Sequence, residues 1–80
     1  MLVVNKQRRK QLGEIATAID EARAELESVA DDEQAYFDDM PENLQGSERG
    51  EAAEECATEL LEIYSELEDL RSRVDDVAGV

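Results

Sequence analysis

Apolar residues recur at helical intervals over two long stretches of the chain. In residues 5–39, leading into Met40, they fall at Leu12, Ile15, Ile19, Ala22, Leu26, Val29, Tyr36 and Met40, with spacings of 3, 4, 3, 4, 3, 7 and 4. This is a heptad seam with one skipped position, filled by Glu33. In residues 48–78 the seam runs through Ala53, Cys56, Leu60, Ile63, Leu67, Leu70, Val74 and Val77 with no skip. Ala57, Leu61 and Tyr64 widen it in the middle. A stripe that wide buries against more than one neighbour, which points to a bundle rather than a simple pair.

Residues 40–47 interrupt the helical pattern. Pro41 cannot continue the first helix without losing a backbone hydrogen bond and clashing with the turn before it. It suits the start of a short new turn, with Asp39 or Met40 as cap. Gly46 suits a left-handed helix stop, and Ser47 suits the N-cap of the second helix. Glu48 and Glu51 then lie near the positive end of that helix. Leu44, the apolar residue inside the connection, is expected to fold back towards Tyr36, Phe37 or Met40. The helices would be about 50 and 45 Å long at ~1.5 Å per residue. Similar lengths and a short connection favour antiparallel neighbours. The expected fold is all-α: one helical-hairpin domain over residues 1–80, with helix 5–39, connector 40–47 and helix 48–78.

Size changes the picture. At 80 residues, such a chain buries a modest core and needs a supplement. A disulfide is excluded because Cys56 is the one cysteine, and a structural zinc site needs more than a single thiol in a chain without histidine. Self-association into a four-helix-bundle dimer is the expected supplement, and a domain-swapped pairing is its variant. The seam assigned to this core and oligomer comprises Leu12, Ile15, Ile19, Leu26, Val29, Cys56, Leu60, Ile63, Leu67, Leu70 and Val74. Cys56 on that seam reads as a buried, inert thiol. Met1-Leu2-Val3-Val4 precedes the basic residues, the reverse of a secretory signal. No run approaches ~20 apolar residues. The expectation is a cytoplasmic protein with a reduced cysteine and no membrane contact.

Charge supplies the strongest functional clue. The net charge is −14, from 22 acidic and 8 basic residues. Residues 14–69 carry twenty acids against Arg23 and Arg49, a net of −18, whereas residues 1–13 carry +4 and residues 70–80 balance to zero. A hairpin therefore has one end of mixed charge and a connector end that is intensely negative. The acids nearest that end are Asp31, Asp32, Asp38, Asp39, Glu42, Glu48, Glu51, Glu54 and Glu55, the candidate partner-binding surface. Glu33 and Arg49 both occupy core-type slots and would either pair across the hairpin or mark a wet, splayed end. The basic cluster Lys6, Arg8, Arg9 and Lys10 reads as a partner for Asp75 and Asp76.

The connector Tyr36-Phe37-Asp38-Asp39-Met40-Pro41-Glu42-Asn43-Leu44-Gln45-Gly46-Ser47-Glu48-Arg49-Gly50-Glu51 resembles one that recurs in small, acidic, uncharacterised helical proteins of bacteriophages and prophages. The resemblance covers the middle fifth of the chain closely and its flanks in character. It implies a phage or mobile-element origin and a cytoplasmic setting, and it carries no catalytic residue.

No histidine is available as a general base. The carboxylate runs read as solvated helix faces, and no calcium-loop pattern of oxygen ligands around a glycine is present. The expectation is a non-enzymatic, cofactor-free interaction module that binds a protein partner, as a homo-oligomer. The alternative is a DNA mimic that occupies the basic groove of a host-defence nuclease or DNA-binding protein, since duplex DNA presents a negative charge about every 1.7 Å. Direct nucleic-acid binding through Lys6–Lys10 is disfavoured by the acidic field around it.

Overall fold

Local backbone chemistry sets the element boundaries. A computed structural model describes residues 5–79; Met1–Val4, read above against a secretory signal, and Val80 lie outside them. The elements are α1 (Lys6–Asp38), α2 (Glu42–Gln45) and α3 (Glu48–Ala78), and the described residues contain no strand. Asn5 starts α1 by accepting a hydrogen bond on its side-chain oxygen from the Arg8 amide, 2.8 Å away, which satisfies one of the donors a helix start leaves free.

The connection differs in detail from the expectation. Pro41 itself occupies the cap position of α2, not Asp39 or Met40, because its carbonyl accepts from the Leu44 and Gln45 amides at 2.8 and 3.2 Å. Gly46 has φ −85° and is not left-handed. The Leu44 carbonyl at the end of α2 is instead satisfied by the Ser47 amide at 3.0 Å, and Gln45 reaches back, its side-chain amide donating to the Phe37 and Met40 carbonyls at 3.3 and 3.4 Å. Carbonyls at the end of α1 are thereby satisfied. Gly79 (φ +80°) is the left-handed glycine and closes α3. Ser47 caps α3 as expected, accepting from the Gly50 amide and donating to the Leu44 carbonyl.

Gly50 is required by a close approach. A Cβ at this buried position would collide with the Gln45 carbonyl and lie 2.7 Å from the Leu44 carbonyl oxygen. The backbone of α2 therefore rests directly on the first turn of α3.

The two long helices pack lengthwise and antiparallel. Moving back along α1 from Arg23 to Asp20 moves the partner forward along α3 from Glu68 to Arg71. The molecule measures 58 × 19 × 13 Å. The α1 face turned to α3 holds Leu12, Ala16, Ile19, Arg23, Leu26, Ala30, Glu33 and Phe37, all buried or half-buried. The α3 face holds Gly50, Ala53, Ala57, Leu60, Tyr64, Leu67, Arg71, Val74 and Ala78, likewise covered. Both repeat at strict 3 and 4 spacing, as a coiled-coil seam requires.

This seam corrects the expected one at every second position. Leu12, Ile19, Leu26, Ala53, Leu60, Leu67 and Val74 lie on it as expected. The intervening positions fall one residue later: Ala16 replaces Ile15, Arg23 replaces Ala22, Ala30 replaces Val29, Phe37 replaces Tyr36, Ala57 replaces Cys56, Tyr64 replaces Ile63, Arg71 replaces Leu70 and Ala78 replaces Val77. Ile15, Val29, Tyr36 and Leu70 are each 45–49 % exposed. Cys56, expected to be a buried thiol, is exposed. At Ala16, Ala30 and Ala57 the physical reason lies in size, and Phe37, Tyr64 and Arg71 follow in the same heptad register. Interhelical distance is set by the side chains at the contact, and alanines there let the two backbones draw close. Among the described residues the fully buried apolar residues are accordingly Ala16, Ala30, Ala53, Ala57 and Ala78, and no large side chain is fully buried.

Candidate interaction surface

Reversing one helix against another brings like flanks of the two heptads to the same side. The residue before every second seam position therefore lies on one broad face: Ile15, Ala22, Val29 and Tyr36, before Ala16, Arg23, Ala30 and Phe37 of α1, and Cys56, Ile63, Leu70 and Val77, before Ala57, Tyr64, Arg71 and Ala78 of α3. Tyr36 and Arg49, both on this flank, line a single open cleft with Met40, Pro41 and Leu44 at the connector. Leu44 lies beside Tyr36 and Met40, as expected, yet it stays exposed. At the other end Leu70 and Val77 share a surface depression with Leu12. The flank is apolar along most of its length and unoccupied by any other part of the chain.

The opposite flank is mostly polar, with Leu61 exposed on it, and it holds the cross-helix arginine contacts. Arg23 enters from the α1 seam with its side chain only 15 % exposed. Its Nε donates to the Tyr64 carbonyl at 3.1 Å, and Nη2 donates to Glu68 at 3.1 Å. The guanidinium also stacks over the Tyr64 ring, 4.2 Å from its centre. One helical turn away Arg71 donates from Nε to both carboxylate oxygens of Asp20, at 3.1 and 3.2 Å, and from Nη1 to Asp75. In the sequence Arg23 is legible as one of two cations among the acids of residues 14–69 and Arg71 as part of the charge-balanced stretch 70–80; their cross-helix partners depend on the register.

That register also decides the two ion pairs read from sequence. Paired residue numbers total about 90, which sets Glu33 level with Ala57, about two turns from Arg49. Glu33 and Arg49 do not pair: Glu33 is half-buried on the seam, and Arg49 is exposed on the apolar flank. Asp75 is engaged by Arg71, and among the described residues Lys6, Arg8, Arg9 and Lys10 form no ion pair.

The candidate acids Asp31, Asp32, Asp38, Asp39, Glu42, Glu48, Glu51, Glu54 and Glu55 are all exposed, and none is in an ion pair among the described residues. The fold gathers them at one end. Residues 23–67, the connector half, contain fifteen acids and two arginines, a net of −13, while the remainder contains seven acids and six basic residues, a net of −1. Among the described residues no group of three acid, cysteine or histidine side chains is arranged to hold a metal ion, and no helix is long and apolar enough to cross a membrane. No family model, curated protein or solved structure matches the chain.

Proposed function

We propose that this chain is a non-enzymatic acidic interaction module whose contact surface is the apolar flank, and whose acids keep the assembly soluble and favour partners with basic surfaces. One observation carries this reading: Ile15, Val29, Tyr36, Leu70 and Val77, all exposed, fall on one side of the hairpin, while the arginines, their acids and Leu61 lie on the other. Contiguous exposed apolar surface of this kind marks an interaction site. The phage-like connector supports a mobile-element origin and action in a bacterial cytosol.

The charge distribution favours a second reading, the DNA mimic. The connector half spans sixteen residues of α1, about 24 Å of helix, and carries −13. That is a net negative charge about every 2 Å, close to the ~1.7 Å of duplex DNA.

The test is a pull-down of the tagged chain from bacterial cytosol at low and high salt, beside the same chain carrying Val29→Glu. A partner retained at high salt and lost with Val29→Glu supports the apolar-flank module. A basic nucleic-acid-binding protein that is released by salt, competed by DNA and indifferent to Val29→Glu supports the mimic.

A further inference from the structure

We infer that the occupant of the apolar flank is a second copy of this chain laid head to tail, with the two-fold axis perpendicular to the long axis of the hairpin. The inference rests on the apolar flank being the contact surface and goes further by naming its occupant and orientation.

Three observations converge. Among the described residues the apolar side chains that the hairpin fully buries are alanines, while Ile15, Val29, Tyr36, Leu70 and Val77 stay exposed. The broad face that carries the flank is 58 Å long and up to 19 Å wide, a projected area on the order of 1,000 Å² in all, which leaves room for the ~800 Å² per partner of a stable interface. Its stripe also runs nearly the whole length of the hairpin, so a copy of equal length covers it completely.

Charge fixes the orientation. A second copy laid parallel would set one −13 half against another, at separations where screening is incomplete. Laid head to tail, each −13 half meets a half of net −1 that carries Lys6, Arg8, Arg9 and Lys10. Arg8 lies on the same flank as Ile15, one heptad earlier, and the head-to-tail arrangement sets it opposite the connector cleft of Tyr36, Asp39 and Leu44 in the other copy. The basic cluster, which forms no ion pair among the described residues, thereby gains acidic neighbours. Like flanks meeting about one perpendicular two-fold make a closed, isologous dimer.

The experiment combines sedimentation equilibrium with a spin-label distance on the full chain carrying Cys56→Ser and Glu51→Cys. Position 51 is exposed, faces away from the flank and sits near the connector. The expected result is a dimer mass with an inter-label distance above about 40 Å, since the two labels lie at opposite ends of a bundle rising ~1.5 Å per residue. A dimer with labels closer than about 25 Å overturns the head-to-tail orientation, and a monomer mass overturns the second copy as occupant. A third variant, Leu70→Glu in the same background, separates these from failure of the flank itself. It is expected to be a helical monomer, and a Leu70→Glu protein that stays dimeric shows that the contact surface lies elsewhere.

Discussion

The guanidinium of Arg23 lies over the ring of Tyr64 at 4.2 Å while its Nε donates to the carbonyl of that same residue. One side chain thus holds both the ring and the backbone of the facing helix. It does so at a seam position where an unpaired charge would be costly. Arg23→Ala is expected to destabilise the hairpin by about 1–2 kcal/mol, combining lost stacking with lost hydrogen bonds. Arg23→Lys should restore only part of this, because an ammonium lacks the planar fork. A urea-denaturation double-mutant cycle with Tyr64→Leu measures the coupling. Additive effects would show that the stacked geometry contributes nothing. The neighbouring Asp20–Arg71 pair has side chains 44 % and 36 % exposed. Asp20→Asn should therefore cost less than about 1 kcal/mol, an effect that added salt erases.

Two glycines of the helices should respond with opposite sign. Gly13 is exposed in the middle of a helical stretch, and a Cβ there meets nothing within 4 Å. Gly13→Ala should stabilise by about 0.5–1 kcal/mol through reduced freedom of the unfolded chain. Gly50→Ala gains the same propensity but drives a Cβ into the carbonyls of Gln45 and Leu44. Relief requires moving α2 off α3, so a net loss of about 1–3 kcal/mol is expected. Thermal unfolding of both variants, followed by circular dichroism, checks the pair. An equal stabilisation by both would mean that α2 does not rest on α3.

Seam and flank substitutions should separate folding from association. Leu60→Asp or Leu67→Asp puts a charge between the helices and should remove the proposed dimer and much of the helicity. Val29→Glu replaces a residue that is already 49 % exposed and should leave helicity near its native value while abolishing association. Far-ultraviolet circular dichroism and sedimentation on the same samples make the comparison. Equal loss of helicity from both classes would return Val29 to the seam.

Cys56 offers a probe that needs no mutation. Exposed in the single chain and set on the apolar flank, it should react rapidly with a thiol reagent in dilute native protein. At concentrations where copies associate, the reaction should slow several-fold, because the thiol becomes covered. A rate independent of protein concentration would argue that this flank is never covered.

Much of the architecture was written in the residue order. The 3 and 4 spacing specifies helices, Pro41 ends the first of them, Ser47 caps the last, and the short connection returns the chain on itself. These are local effects, governed by backbone donors, ring closure and side-chain period, so sequence suffices to state them. Which side of each stripe faces the other helix was not local. Ile15, Val29, Cys56 and Leu70 look like the stronger core candidates because hydrophobicity grows with size. The pairing instead chose Ala16, Ala30 and Ala57, one residue further on, where small side chains let two backbones approach. The register then followed from that choice, joining Arg23 to Tyr64 and Asp20 to Arg71 rather than Glu33 to Arg49. A stripe three positions wide fits two neighbours equally well, and only the tertiary structure, by bringing the alanines together, decided which edge the hairpin would bury and which it would leave bare.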